Sequence, residues 1–123
     1  MGEKREGEMK MVVENVDEER FRELLKGERP VLADFWAPWC VHCRRLEPAF
    51  DAVAGQYKDL LITVKINIDE EPHLASTEQI DVIPTLKLYK GGRAVGSITA
   101  PGSKSEIDRF IKETLAGQRA AYG

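Results

Sequence analysis

Trp36-Ala37-Pro38-Trp39-Cys40-Val41-His42-Cys43 holds both cysteines and both tryptophans of a 123-residue chain, and the fold can be read outward from it. Two cysteines separated by two residues lie one helical turn apart when the second is on a helix, so their sulfurs can close a small disulfide ring or reopen as a dithiol. Before the pair runs Val31-Leu32-Ala33-Asp34-Phe35-Trp36, apolar at nearly every position, which predicts a central strand covered on both faces. After it Cys43, Leu46, Phe50, Val53, Ala54 and Tyr57 recur at three- and four-residue steps, the spacing of an amphipathic helix. Cys40 then falls where strand gives way to helix. Free backbone N–H groups and the positive end of the helix dipole favour an anion there, and a thiolate is an anion. Cys40 is the expected nucleophile, with Cys43 as its partner. The competing reading is half of a zinc site. Zinc normally takes four ligands, however, and the other candidates are His42, pinned between the cysteines, and His73 on a different segment, expected at the surface. No metal is expected.

A hydrophobic content of 42% over 123 residues suits one compact domain with one core. The net charge of −3, with acidic and basic residues interspersed, leaves no basic footprint for nucleic acid or anionic lipid. The longest apolar runs fall far short of the ~18 residues that span a bilayer, so neither nucleic acid nor membrane is an expected partner. Met1 to Lys10 is mostly charged and lacks the apolar core of a secretory signal, and two neighbouring cysteines make no framework of staples. Both features point to a reducing, cytoplasmic compartment. A cysteine pair there is more often catalytic or metal-binding than structural.

Along the chain, residues 1–8 read as a disordered charged arm, 9–115 as the folded domain and 116–123 as a flexible tail. Met9 to Val13 is a short strand candidate. Asn15 with Glu18 has the form of a capping box, opening a helix whose Phe21, Leu24 and Leu25 face the core and which Gly27 ends. Pro48 removes one hydrogen bond inside the next helix and is expected to kink it. Leu60, Ile62, Val64, Ile66 and Ile68 alternate with Lys65 on the opposite face, predicting a strand parallel to the one at Val31. Pro72 sits in the first turn of a further helix, Gly91-Gly92 marks a two-residue hairpin, and Ser103 with Glu106 caps a last helix striped by Ile107, Phe110, Ile111 and Leu115. The expected architecture is α/β, a mixed sheet of about five strands with helices on both faces. Chemistry in such sheets sits beyond the carboxyl ends of the parallel strands, where Cys40 lies.

Asp34 is the most informative residue outside the pair. A carboxylate in an otherwise apolar strand is costly to bury, so its pKa should rise until it is partly neutral and usable as a proton acceptor. The duller account gives it a polar pocket for structural reasons. His42 has two readings as well: a partly protonated imidazole on the first turn that stabilises the Cys40 thiolate, or a side chain in solvent.

Four landmarks stand in order: Asp34-Phe35-Trp36-Ala37-Pro38-Trp39-Cys40 with Cys43, Lys65-Ile66-Asn67-Ile68-Asp69, Ile83-Pro84-Thr85, and Lys90-Gly91-Gly92. On these residues the chain resembles the thioredoxin family over roughly residues 10 to 115. The resemblance implies a thioredoxin fold and a protein disulfide oxidoreductase that exchanges dithiol for disulfide through Cys40 and Cys43, with no cofactor. It makes Asp34 the buried base for the second cysteine, with Lys65 nearby. It also implies that Pro84 is cis and faces the cysteines, that the backbone of Ile83 pairs with substrate, and that Trp39 is the exposed aromatic beside the nucleophile, whereas Trp36 packs in the core. The implied partners are disulfide-containing protein substrates and a reductase or other dithiol donor, and the chain is expected to act as a monomer. Two departures stand out. Val41-His42 replaces the usual Gly-Pro between the cysteines, and Ala100 stands where the family places a substrate-facing glycine. A histidine before the second cysteine resembles the disulfide isomerases and oxidases, so Val41 and His42 are read as tuning the redox potential. A more oxidising oxidase or isomerase-like role, and a non-enzymatic binding subunit, are the alternatives.

Overall fold

A computed structural model describes residues 12–122 of the chain. The apolar run at Val31 forms a strand, β2 (Val31–Trp36), whose first five residues are all buried. Burial on both faces requires neighbours on both edges and cover above and below. The neighbours are β3 (Ile62–Asn67), parallel to β2, and β4 (Thr85–Lys90), antiparallel to it. β1 (Val13–Asn15) adds parallel to β3 and β5 (Arg93–Thr99) antiparallel to β4, giving a mixed sheet in the order β1-β3-β2-β4-β5.

Alternation along β2 sorts the cover into two layers. Val31, Ala33 and Phe35 pack with Phe21 and Leu74, from the helices α1 (Glu18–Leu25) and α3 (Pro72–Thr77). Leu32 packs on the other side with Leu46, Phe50 and Val53 of α2 (Val41–Gln56) and with Ile107 and Ile111 of α4 (Lys104–Tyr122). The two cores are separated by the sheet. Tyr89 meets Phe21 edge to face, ring centroids 5.1 Å apart, in the first. Asp108 accepts hydrogen bonds from Tyr57 and Gln56 and so ties α4 to the end of α2 on the second.

Several boundaries differ from the sequence expectation. The first strand is Val13–Asn15, later than the expected Met9–Val13, whose first three residues lie outside the described ones, as does the 1–8 arm. Asn15 is therefore in a strand, and the cap of α1 is Asp17, which accepts from the Arg20 N–H at 2.9 Å. Leu60 is exposed and Leu61 takes the buried place beneath α2, because β3 begins only at Ile62. The residues expected as a loose tail continue α4 through Tyr122, with Ala116, Ala120 and Ala121 among the strongest helix formers. α2 runs through Pro48. Ser103 caps α4 as expected, accepting from the Glu106 N–H, while the Glu106 carboxylate accepts from Gly102.

Gly91 and Gly92 turn the hairpin with φ of 64° and 82°, the pair of positive values a two-residue connection needs. Beyond the turn Val95 is left unpaired opposite the step from Leu88 to Tyr89, which shifts the register, and Gly96 then passes under α4. A Cβ at Gly96 would stand 2.8 Å from Thr114 Cγ2 and 2.9 Å from its Oγ1, so no rotation of that side chain clears both contacts. Gly96→Ala is therefore expected to push α4 off β5 and to cost about 1–3 kcal/mol, read as a lowered denaturation midpoint with an unchanged m-value.

Candidate active site

Four chain segments meet at one edge of the sheet: the ends of the parallel strands β2 and β3, the start of β4, and the end of β5. Cys40 follows β2 and is the N-cap of α2, its backbone extended at φ −86°, ψ 111°. Its sulfur accepts the N–H of Cys43 at 3.2 Å and its carbonyl accepts from Arg44. A cysteine in the cap position replaces the usual hydroxyl or carboxylate oxygen with sulfur, and the donor it meets is one of the helix's orphan N–H groups. The two cysteines are joined as a disulfide, with Cα atoms 5.3 Å apart. Cys40 is 8% exposed and Cys43 3%, so the cap residue is the less covered of the two.

The peptide bond between Ile83 and Pro84 is cis, and the Ile83 carbonyl oxygen lies 4.0 Å from Cys40 Sγ. Ala100 donates its N–H to the Pro84 carbonyl at 2.8 Å, so the end of β5 closes this wall of the site. Ala100 has φ 47°, in the left-handed region where a side chain is costly and where the family's glycine would be at ease. Ala37 and Ile68 pack beside the disulfide with Ile83. Trp39 is 65% exposed, and its indole N–H points at both carboxylate oxygens of Asp69, 3.0 and 3.2 Å away. Val41 and Val82 are also exposed, giving the rim an apolar character.

Below the disulfide lies a charged layer. Asp34 is 1% exposed, and its Oδ1 has no hydrogen-bond partner. Burial pushes its pKa up to about 7; Lys65 opposes the rise, while Glu47 and Asp51 add to it. Lys65 is the register partner of Asp34 on β3, as the landmark residues implied. Its ammonium, however, sits 3.3 Å from Glu47 Oε2 and 4.5 Å from the centroid of the Trp36 ring. Trp36, expected in the core, is half-buried with its Nε1 unpartnered.

His42 is exposed, and its ring Nε2 lies 3.4 Å from the Pro101 carbonyl oxygen. That acceptor requires the hydrogen on Nε2 and turns the ring toward the end of β5. His73, the expected surface histidine, is exposed and pairs with Glu18 at 2.9 Å. Sequence reasoning did not single out Glu47, Asp51 or Pro101, nor Asp69 as the partner of Trp39. Glu47 had a readable signal, since it follows Cys43 by four residues and so shares its stripe of α2. The others depend on which loops meet.

A thioredoxin family model matches residues 12–113. The chain belongs to the thioredoxin family. It is 42% identical over 101 residues to an M-type chloroplastic thioredoxin of Chlamydomonas reinhardtii, an alignment covering 81% of this chain and 72% of that one. With Thioredoxin 1 of Nostoc sp. it shares 40% identity over 94 residues, 76% of this chain and 88% of the relative. The crystal structure of oxidised mitochondrial thioredoxin 3 from Saccharomyces cerevisiae superposes with a TM-score of 0.74 at 27% identity, over 82% of this chain and 94% of the other. The mixed sheet is thus a thioredoxin fold, and the chain is a thiol-disulfide oxidoreductase of thioredoxin type. Among the described residues no helix is long and apolar enough to cross a membrane.

The buried carboxyl generates a prediction with a definite sign. Its folded-state pKa near 7 lies above the unfolded value of about 4, so the ionised form is disfavoured in the fold. This group costs nothing below about pH 4, and its penalty grows as pH rises to about 7 and then levels off. Asp34→Asn keeps the shape and removes the charge. It should be more stable than the parent at about pH 9 by roughly 2–4 kcal/mol, the gap closing toward pH 4. Denaturant titrations across that range check it, and a variant less stable at pH 9 would refute the burial penalty.

Proposed function

We propose that the chain reduces disulfides in protein substrates, with Cys40 as nucleophile and Cys43 as resolving thiol. The observation that carries the reading is the asymmetry of the pair: the less covered cysteine occupies the cap of α2, and its sulfur accepts the Cys43 N–H. In the dithiol form the Cys40 thiolate attacks one sulfur of the substrate disulfide, forming a mixed disulfide and expelling the other sulfur as a thiolate. Cys43 then attacks Cys40 Sγ, its thiol proton passes to the Asp34 carboxylate, and the second substrate sulfur leaves as a thiolate. Two electrons have moved to the substrate, and the enzyme holds the Cys40–Cys43 disulfide. A reductase or other dithiol donor returns the pair to the dithiol.

Asp34 suits the proton step because its pKa lies near neutrality, where an acceptor works in both directions. Trp39, Ile83 and Pro84 form the proposed substrate rim. The indole offers an apolar face, and Pro84, lacking an N–H, puts no unpaired donor against the sulfurs. In this reading Val41 adds to the apolar rim and Lys65 acts on Asp34 from the neighbouring strand. We place the protein as a monomer in the cytoplasm, on the grounds of its cysteine usage and interspersed charge. We keep the reducing direction because the His42 ring is engaged with the Pro101 carbonyl at the surface, where solvent screening weakens any pull of the imidazole toward an oxidising potential.

Two outcomes check this reading. Cys40→Ser is expected to abolish dithiothreitol-driven reduction of a protein disulfide. Cys43→Ser should retain the first attack and accumulate mixed disulfides visible by mass spectrometry; wild-type turnover in both would end the proposal. Second, removing the imidazole tests the direction of electron flow. His42→Pro should lower the midpoint potential in a glutathione or dithiothreitol redox buffer by at most about 30 mV, the equivalent of one unit in thiolate pKa. A much larger fall would return the oxidase reading to favour.

A further inference from the structure

The charged layer beneath the disulfide has one cation and three carboxylates. Asp34 reaches it from β2, on the same face as Leu32, and Lys65 from β3, in register with Asp34. α2 contributes Glu47 and Asp51, one and two turns beyond Cys43. Leu86 of β4, in register with Asp34, and Ile107 and Ile111 of α4 add no ionisable group on this side, whereas Cys43 of α2 adds a thiol once the disulfide is reduced. Lys65 is the group that would be expected to neutralise Asp34. Yet its ammonium is held 3.3 Å from Glu47 and 4.5 Å from the Trp36 ring, and Asp34 Oδ1 is left without a partner. Glu47 is 48% exposed along its side chain, so it sits at the solvent end of the layer with Asp34 at the closed end.

We propose that Glu47 is a positioning residue for Asp34: it draws the Lys65 ammonium outward, withholds the counter-ion from the buried carboxyl, and so sets the pH at which Asp34 gives up its proton. The proposal rests on the reading of Asp34 as proton acceptor and adds a residue that acts on it through Lys65. Two effects of the Glu47 charge run the same way. Its own field disfavours a second anion nearby, and its claim on Lys65 keeps the ammonium out of contact with Asp34, so that the cation only partly offsets the rise. The same pull keeps the Lys65 ammonium over the Trp36 ring, where a cation gains from the ring face. Asp51 adds its charge from the next turn, and burial of Asp34 pushes in the same direction.

The test reads Asp34 directly. In the 123-residue chain with its disulfide closed, the Asp34 side-chain carboxyl carbon is followed by NMR from about pH 4 to pH 10, in the parent and in Glu47→Gln, Glu47→Ala and Glu47→Asp. Glu47→Gln and Glu47→Ala are expected to move the midpoint down by roughly one unit. Glu47→Asp keeps the charge and should stay close to the parent. A purely structural role would move thermal stability in all three and leave the midpoint in place. The pH profile of mixed-disulfide resolution by Cys43 is then measured with and without Asp34→Asn. It should shift with the midpoint when Asp34 is present and cease to respond to Glu47→Gln when it is absent. An unmoved or raised carboxyl midpoint, or an unchanged response to Glu47→Gln in the Asp34→Asn background, overturns the proposal. If the midpoint falls while the resolution profile stays still, the hold of Glu47 on Asp34 stands and the base reading of Asp34 fails.

Discussion

The backbone of β2 has to be paired on both edges and covered on both faces, and the remaining elements answer that demand. Its first five residues are buried, so each N–H and C=O in them needs a strand partner. β3 and β4 supply those partners with opposite polarity. The polarity difference has a chemical result. Parallel β2 and β3 end at the same edge at which antiparallel β4 begins, so Cys40, Asp69 and Pro84 come together although 29 residues part the first two in sequence and 15 the last two. The helix that must cover β2 after this edge starts at the cysteine, and one of its free N-terminal donors, the Cys43 N–H, falls to sulfur.

Elements whose cause is local were legible in the sequence. The double-faced strand, the 3.6-residue stripe after Cys43, Pro72 at a helix start, the Gly91-Gly92 turn and the Ser103 cap each follow from a few neighbouring residues. Where two local solutions compete, the sequence alone chose wrongly. Asn15 and Asp17 can both cap a helix, and pairing of Asn15 with Lys65 decides for Asp17. Leu60 and Leu61 are equally apolar, and the position at which β3 joins the sheet decides which is buried. Alanines at the carboxyl end carry no periodicity to read, yet they hold a helix.

The candidate site divides in the same way. Cys40 at a helix cap, Cys43 one turn in, Asp34 under the sheet surface and Trp39 at the rim were placed by spacing and by family resemblance, and the geometry agrees with those positions. Side-chain pairings that cross between elements were not legible. Lys65 was expected to serve Asp34, but a half-exposed glutamate on the neighbouring helix offers its ammonium an ion pair without the desolvation a fully buried pair would incur. His42 was read either as acting on Cys40 or as standing in solvent; its ring is exposed, with a backbone carbonyl from another loop beside it. Competition among partners depends on distances that no single segment contains.

Trp39 shows what such a pairing implies for encounter with another molecule. An indole of this size standing mostly in water would ordinarily sample several rotamers, and any surface pressed against it would have to still that motion. The two carboxylate oxygens of Asp69 hold its N–H. A ring restrained in this way would meet any contacting surface already oriented, and such an association would lose correspondingly less entropy. The arrangement also leaves a formal negative charge at the same lip, so polypeptide loops carrying acidic side chains would approach more slowly than neutral or basic ones, by a margin that added salt would erase.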